Sequence, residues 1–326
     1  MPLNFRRRAL ASALGLALCG LLPMAQAQVI PKTIRLIVGY PAGGVADVVA
    51  RALADKLGPQ LGTTVVVENR AGASGTIGMD AVAKAPPDGA TLGFSAVSPL
   101  VLNPHLAKSP FDPMKDIAPV ASVMYSPVLL LATSATGTRD FHTLLDDARA
   151  RPGAVRWATS GQGSLGHIVL EQLCAAAGVK ITHVPYKGGA QQMNDAIGGQ
   201  FEILSINAGP SLTPQIKAGR LRPLAVGAPK RLDGLPQVPT LGELGFPSAN
   251  LTSLFGVFAP AAVPPILIEK YNAEINRALA APDLRARLVA SDNVPTGGGA
   301  EEFADEIASE FESNGRIVRA AGIKPD

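Results

Sequence analysis

The segment Tyr40-Pro41-Ala42-Gly43-Gly44-Val45-Ala46-Asp47 lies between a predicted strand and a predicted helix and has the composition of an anion-binding loop. Glycines at a strand end free backbone amides, and the helix that follows adds its unpaired N–H groups and the positive end of its dipole. A carboxylate bound there needs no buried counter-charge and gains about 0.3–2 kcal/mol from the dipole. Gly43 and Gly44 are equally compatible with a simple tight turn, so the residues alone leave both interpretations open.

Two polar side chains near predicted helix starts have alternative roles. Asp47 could contact a ligand amine, but a carboxylate at a helix start more often accepts backbone N–H groups, and we favour that bracing role. In the segment Tyr186-Lys187-Gly188-Gly189, a phenol, a cation and a helix start could all face an anion. A lone lysine is usually solvated, so Lys187 is not included among the candidate ligand contacts.

Two further glycine-rich loops also follow predicted strands, namely residues 72–75 (Gly-Ala-Ser-Gly) and residues 160–164 (Ser-Gly-Gln-Gly-Ser). Loops from separate parts of the chain converge if the carboxyl ends of their strands face one crevice, and open α/β folds bind ligands in such crevices. The sequence therefore predicts one polar site built from several strand-end loops.

An enzymatic alternative comes from residues 161–166, which match the dinucleotide pattern G-x-G-x-x-G between a strand and a helix. The segment 181–187 contains no acidic residue that could hold a ribose, and residues 1–27 predict export, after which the protein would rarely meet NAD. We therefore interpret this loop as a contact for a carboxylate or amide.

Other catalytic chemistry finds no support in the sequence. The nucleophile-elbow pattern G-x-S-x-G is absent around Ser164, where Gln162 stands at the first glycine position. His105, His142, His167 and His183 are far apart in sequence, with no i+4 pair and no cysteine partners, so no metal site is predicted. Only His167 could be placed near a ligand, and we favour a helix-start hydrogen bond as its role. We expect no cofactor and no enzymatic activity.

Residues 1–27 have the features of a secretory signal peptide, with arginines at positions 6–8, an apolar run from Ala9 to Leu22, and the cleavage site Ala25-Gln26-Ala27. We expect cleavage after Ala27 and a periplasmic mature protein. Its removal takes three of the 29 basic residues and none of the 26 acidic ones, which leaves a formal charge of zero. A neutral protein gives no electrostatic reason to bind nucleic acid.

Short β-branched runs alternate with segments of helical period from residue 33 onward, which predicts βαβ units and a mostly parallel sheet. The predicted strands are 34–38, 64–67, 91–94, 120–124, 128–132, 155–158, 181–184, 201–205, 221–226 and 253–258. The predicted helices are 44–57, 74–84, 142–149, 165–177, 189–197, 265–280, 282–290 and 300–321. The first helix carries an i+4 apolar stripe and should end at Gly58. No flexible linker is evident, so two lobes would be joined by ordered crossings near 125–128 and 245–254.

Taken together, these residues resemble the periplasmic substrate-binding receptors of tripartite tricarboxylate transporters, the Bug receptors. The resemblance spans nearly the whole mature chain. It is carried in order by Tyr40-Pro41-Ala42-Gly43-Gly44 with Asp47, Val67-Glu68-Asn69-Arg70 with Gly72-Ala73, Pro87-Asp88-Gly89, His183-Val184-Pro185-Tyr186-Lys187-Gly188-Gly189, Gly198-Gly199-Gln200 and Phe255-Gly256 with Ala259-Pro260.

The resemblance implies a type II periplasmic-binding-protein-like α/β fold, with two α/β lobes and a ligand cleft between them. Lobe one would comprise residues 28–125 and 248–326, and lobe two residues 126–247. A small carboxylate would be captured there and delivered to a large and a small integral membrane subunit. The implied ligand contacts are Tyr40, Ala42, Gly43, Gly44 and Asp47, with Ser95, Ser160, Ser164, Tyr186 and Asn207 from facing loops. Many relatives carry a hydroxyl residue where Ala46 stands, so a relative's ligand cannot simply be transferred.

Two alternatives stay open at this point. The same fold could serve a sensor that presents its ligand to a membrane kinase, and an exported dinucleotide-dependent enzyme is the less favoured reading. The identity of the carboxylate and the oligomeric state are not encoded in these motifs, because backbone amides recognise a carboxylate and not what is attached to it.

Overall fold

A computed structural model describes residues 30–320, so the predicted signal peptide and its cleavage site lie outside the described residues. The strands are β1 Thr33–Val38, β2 Thr64–Asn69, β3 Thr91–Ala96, β4 Ile117–Ala132, β5 Arg156–Thr159, β6 Thr182–Pro185, β7 Ile203–Asn207, β8 Arg222–Gly227, β9 Thr252–Pro260 and β10 Val294–Pro295. The helices are α1 Val45–Leu61, α2 Thr76–Ala83, α3 Ser98–Val101, α4 Asn103–Leu106, α5 Phe141–Ala150, α6 Leu165–Ala177, α7 Gly189–Ile197, α8 Leu212–Lys217, α9 Pro265–Ala280, α10 Pro282–Val289 and α11 Ala300–Ala320. Short 3₁₀ turns occupy Ala73–Gly75 and Pro247–Ala249.

The strands form one continuous sheet in the order β2-β1-β3-β9-β4-β7-β5-β6, with β8 and β10 also paired to β4. Pairing is parallel within β2-β1-β3 and within β7-β5-β6, and antiparallel wherever β4 or β9 takes part. The prediction of a mostly parallel sheet is therefore wrong for its centre. The spacing of apolar residues in the sequence indicates which faces of a strand are buried. It does not indicate whether the neighbouring strand runs parallel or antiparallel, because that depends on residues far away in the chain.

Strand β4 divides the sheet into two halves. Residues Ile117–Pro127 pair with β9, whereas Val128–Ala132 pair with β7 and β8. The first half of the sheet comprises the strands β1, β2, β3, β9 and β10 and residues Ile117–Pro127 of β4. The second half comprises the strands β5 to β8 and residues Val128–Ala132 of β4. The two strands predicted at 120–124 and 128–132 are thus one strand, which passes through the predicted crossing at 125–128 without a break.

Helices cover both faces of each half. In the first half, α1 and α9 pack on one face of β1, β3, β4 and β9, while α2, α3 and α11 pack on the other. In the second half, α5 and α6 form one layer and α7 and α8 the other. Each half thus has its own hydrophobic core, the layered arrangement expected of α/β units. Within residues 30–320, no helix has the length and apolar character needed to cross a membrane.

Helix α1 shows how the local sequence sets the geometry of the site. Val49, Leu53 and Leu57 of the predicted stripe are buried, and the helix begins directly after the glycine pair. It does not end at Gly58 as predicted but continues to Leu61, and Gly62 closes it with a left-handed φ of 64°. A glycine inside a helix costs only about 1 kcal/mol, and the Gly62 N–H donates to the Gly58 carbonyl, so Gly62 and not Gly58 provides the left-handed end of the helix.

Candidate ligand-binding site

A cavity of about 300 Å³ lies between the two halves of the sheet. The first half contributes the loop after β1, the start of α1, and Phe255 of β9. The second half contributes the loop after β5, the starts of α6 and α7, and the end of β7. Its volume is at the lower end of the range usual for small-molecule sites. The cavity is therefore sized for a small metabolite held from both sides.

Three helices begin in the cavity wall. The wall includes Val45 and Ala46 of α1, Leu165 and Gly166 of α6, and Gly189 and Ala190 of α7. The first N–H groups of a helix have no partner within the helix, and its dipole places partial positive charge there. Among the described residues of the wall, none has a charged side chain. The wall thus attracts anions through backbone groups.

Six of the ten predicted contact residues lie in the cavity wall, namely Tyr40, Gly43, Gly44, Ser160, Ser164 and Asn207. The wall also contains residues that sequence reasoning missed, among them Ser98, Val128, Met193, Asn194, Ser205, Ser211, Ser253 and Phe255. The segment Lys187–Gly189 did signal the start of α7. No local pattern distinguishes Ser253 or Phe255 from other strand residues, because both reach the wall through antiparallel pairing.

The other four predicted residues do not line the cavity, and each has a different position. Ala42 is exposed, and Ser95 is fully buried in β3 behind the wall. The Tyr186 hydroxyl donates to the Asp195 carboxylate at 2.8 Å, and its ring packs edge-on against Phe201.

Asp47 lies behind the loop and braces it. Its carboxylate accepts hydrogen bonds from the Gly43 N–H and from the Asn69 side-chain amide, both at 2.9 Å, and pairs with Arg51 at 2.9 Å. Burial alone would raise the pKa of this carboxyl, but the hydrogen bonds from Arg51, Gly43 and Asn69 outweigh burial and hold its pKa below the usual value. The geometry agrees with the bracing role favoured from the sequence.

Asn207 and Tyr40 present to the cavity only part of their polar groups. The Asn207 amide donates to the Ser126 carbonyl at 3.2 Å and to the Ser253 hydroxyl at 2.8 Å, so both of its N–H groups are engaged. Its oxygen is the group left for a ligand, and an oxygen accepts from hydroxyls or water, not from a carboxylate. The Tyr40 hydroxyl donates to the Ser74 carbonyl at 3.1 Å, and burial raises its pKa to about 12.

In contrast to Asn207 and Tyr40, Ser205 has a hydroxyl that no other described residue engages. This residue of β7 lines the cavity with an exposure of only 2 %, and its hydroxyl has no hydrogen-bond partner among the described residues. Gly166 at the start of α6 lies against it, since a Cβ on Gly166 would approach the Ser205 hydroxyl to 2.7 Å. A buried hydroxyl without a partner is costly, so a ligand group at this point would be stabilised by it.

Two histidines support the loop after β5 from behind. The rings of His167 and His183 stack with centroids 4.1 Å apart, which corrects the prediction that the histidines stand apart. His167 Nδ1 accepts the Gly163 N–H at 3.3 Å, and His183 Nε2 shares a 2.7 Å hydrogen bond with the Thr159 hydroxyl. Within residues 30–320, no group of three or more His, Cys, Asp or Glu could hold a metal ion. The pair therefore acts as packing for the loop.

The pair makes stability depend on pH. Burial, and secondly His167, lower the pKa of His183 to about 4 from its ordinary value of 6.5, although Glu171 acts in the opposite direction. The unfolded chain therefore binds a proton more readily than the folded protein does. The free energy of unfolding is consequently unaffected above pH 6.5 and decreases as pH falls from there towards the folded pKa of His183. Between about pH 7 and about pH 4.5 we expect a loss of about 2 kcal/mol from this residue.

Urea unfolding of wild type and His183→Gln across that pH range tests this expectation. Acid-sensitive groups away from this cluster act equally in both proteins, so the difference between the two curves reports His183 together with its coupling to His167 and Glu171. Parallel curves would show that His183 titrates normally.

Comparison with known proteins places these observations in a family. Residues 49–323 match the model of the tripartite tricarboxylate transporter family receptor, TctC. The chain belongs to this family. The receptor is similar to the protein BugT of Bordetella pertussis, with 34 % identity over 325 residues, 99 % of each chain. The family membership predicted from the sequence motifs is therefore confirmed.

Two solved structures resemble the receptor closely. A protein of R. palustris described with adipate is 31 % identical, with a TM-score of 0.85 over 91 % of this chain and 99 % of the other. MatC from Rhodopseudomonas palustris, with bound malate, is 28 % identical, with a TM-score of 0.83 over 88 % of this chain and 98 % of the other. The predicted two-lobed periplasmic-binding-protein fold is confirmed, and the family is one of solute-binding receptors.

Proposed function

We propose that the protein is a periplasmic receptor that captures a small carboxylate in the cavity between its halves and delivers it to a tripartite-type membrane transporter. The observation that carries the proposal is the wall itself, in which three helix starts and the unpartnered Ser205 hydroxyl surround a space without charged side chains. Such a wall favours a carboxylate over a cation, and the relatives described with adipate and with malate support the same ligand class.

The same wall explains how binding would change the protein. Backbone groups of α1 belong to the first half, whereas those of α6 and α7 belong to the second, so a ligand touching both stabilises the closed arrangement. Shifting such an equilibrium from mostly open to mostly closed takes about 5.5 kcal/mol of differential affinity. A few charge-assisted hydrogen bonds from each half are of that order. No bond of the ligand needs to break.

The lobe boundaries belong to this proposal. We assign residues 28–125 and 248–326 to lobe one and residues 126–247 to lobe two. The change of partners in β4 between Pro127 and Val128, and the entry of the chain into β9 at Thr252, support both crossings. The closed receptor would then be recognised by a large and a small integral membrane subunit, and the name of the family supports that assignment.

The enzymatic alternative receives no support from the geometry of the loop after β5. A dinucleotide site needs its glycines to leave room for a pyrophosphate. Here a Cβ on Gly161 would lie 2.6 Å from the Ser74 hydroxyl, and one on Gly163 would lie 2.1 Å from the Asn103 side chain. These glycines make room for the first half of the protein. A sensor role would use the same closure with another membrane partner.

A thermal-shift screen of residues 28–326 tests the proposal. The panel would contain adipate, malate, citrate, acidic amino acids and aromatic acids, with NAD and NADP as comparison ligands. A ligand at a hundredfold excess over its Kd stabilises the native state by about 2.7 kcal/mol, which raises Tm measurably. A shift with at least one carboxylate is expected. Stabilisation by NAD or NADP with none by any carboxylate would contradict the receptor function.

A further inference from the structure

The 3₁₀ turn at Ala73–Gly75 is strained, and two of its residues, Ser74 and Gly75, are buried. Ala73 has a φ of 44° and Ser74 a φ of 52°, values in the left-handed region that residues with a Cβ seldom adopt. Ser74 is only 2 % exposed. Two such residues in succession persist only when surrounding contacts hold them, and strain of this kind is concentrated at functional positions.

Contacts within the first half hold the turn in place. The Asn103 amide donates to the Ala73 carbonyl at 3.1 Å and to the Thr76 hydroxyl at 2.7 Å. The Tyr40 hydroxyl donates to the Ser74 carbonyl at 3.1 Å, and Tyr40 itself lines the cavity. The position of Ser74 is therefore fixed relative to the cavity wall of its own half.

The side chain of Ser74 reaches into the other half. Its hydroxyl donates to the carbonyl of Gln162, in the loop after β5 whose flanking residues Ser160 and Ser164 line the cavity. Gly161 permits this approach, because a Cβ there would lie 2.6 Å from the Ser74 hydroxyl, and its own φ is 140°. The strained turn and the glycine loop are thus complementary surfaces that meet beside the cavity.

We propose that Ser74 is a positioning residue for ligand retention, a latch whose hydroxyl joins the two halves only when they are closed. The inference rests on the proposed function, since it assumes that the ligand is held between the halves. Opening the cavity separates the turn from the loop and breaks the bond to Gln162, so the bond stabilises the closed state alone. A net hydrogen bond corresponds to about a 2- to 12-fold change in an equilibrium constant.

Three variants separate the latch from a merely structural role. Ser74→Ala keeps the left-handed position and removes the hydroxyl, whereas Ser74→Gly removes the hydroxyl and relieves the strain. Ala73→Gly is the matched control, because it relieves strain in the same turn and leaves the latch intact. Calorimetric titration with adipate, malate or whichever other carboxylate of the screening panel raises the Tm of wild type gives Kd, and thermal unfolding of the ligand-free proteins gives Tm.

The latch predicts that both Ser74 variants raise Kd by about 2- to 12-fold, although Ser74→Gly has the higher Tm of the two. Ala73→Gly should bind like wild type. If affinity instead follows Tm, so that Ser74→Gly binds like wild type and Ser74→Ala does not, Ser74 is only a structural residue. Unchanged Kd in both variants also overturns the latch. If wild type bound none of the carboxylates in the screening panel, the proposed function would fail and the latch with it, whereas unchanged Kd values for a carboxylate that wild type does bind overturn the latch alone.

Discussion

Replacing Gly44 by leucine is expected to weaken carboxylate binding by at least about 100-fold, which corresponds to about 2.7 kcal/mol. Gly44 precedes α1 with an ordinary extended backbone, φ −77° and ψ 169°, so a side chain there brings no backbone strain. A Cβ would meet only the Pro41 carbonyl, at 3.6 Å. The leucine would therefore fit the fold and project from the wall into a cavity of about 300 Å³, where it competes with the ligand for space.

The measurement is titration calorimetry with a carboxylate that shifts Tm of wild type, together with thermal unfolding of the ligand-free variant. Gly137→Leu is the matched control, because Gly137 is exposed, has no atom within 4 Å of its Cβ position and does not line the cavity. Ligand-free Tm should stay within a few degrees for both variants. Wild-type affinity in Gly44→Leu would place the ligand elsewhere in the molecule.

The elements that could be predicted are those whose boundaries are encoded locally. Helices α6, α7 and α9 begin and end where the sequence predicted, because proline, glycine and capping residues mark their termini. The i+4 stripe of α1 was likewise sufficient to place it on the core. What could not be predicted was partner choice in the centre of the sheet. Two strands with a crossing at 125–128 were predicted, whereas β4 runs through Pro127 and exchanges one set of partners for another there.

The residues of the candidate site also fall into two groups, those that a local sequence pattern identifies and those that only the pairing of strands brings into the cavity wall. The loops after β1 and β5 could be predicted, because glycines and hydroxyl residues between a strand and a helix are a local pattern typical of ligand-binding loops. Ser205 and Phe255 could not be recognised, because their position in the wall depends on how β7 and β9 pair with β4. Stacking of His167 on His183 was hidden for the same reason, since the two residues are neighbours only through adjacent elements of the second half.

Asp47 supports the loop after β1 without lining the cavity, and Asp47→Ala is expected to lower the free energy of unfolding by about 2 kcal/mol. Removing the carboxylate leaves the Gly43 N–H and one of the two Asn69 amide hydrogens without their acceptor, since the other hydrogen donates to the Tyr40 carbonyl. The ion pair with Arg51 adds little, because half of the Arg51 side chain is exposed. Since Gly43 lines the cavity, carboxylate affinity should also fall, by about 10-fold.

Urea unfolding and calorimetry of Asp47→Ala and Asp47→Asn measure both effects, and the asparagine variant is the matched control. Its side-chain oxygen can still accept the Gly43 N–H, so the loss of stability should be about 1 kcal/mol and the affinity nearly that of wild type. Because the pKa of Asp47 is lowered in the folded protein, its contribution is present above the ordinary value of 3.8 and is lost as pH falls through the folded value. That loss occurs at lower pH than the loss due to His183, so the two residues can be told apart in one pH series. Equal affinity in Asp47→Ala and wild type would show that the loop keeps its shape without the brace.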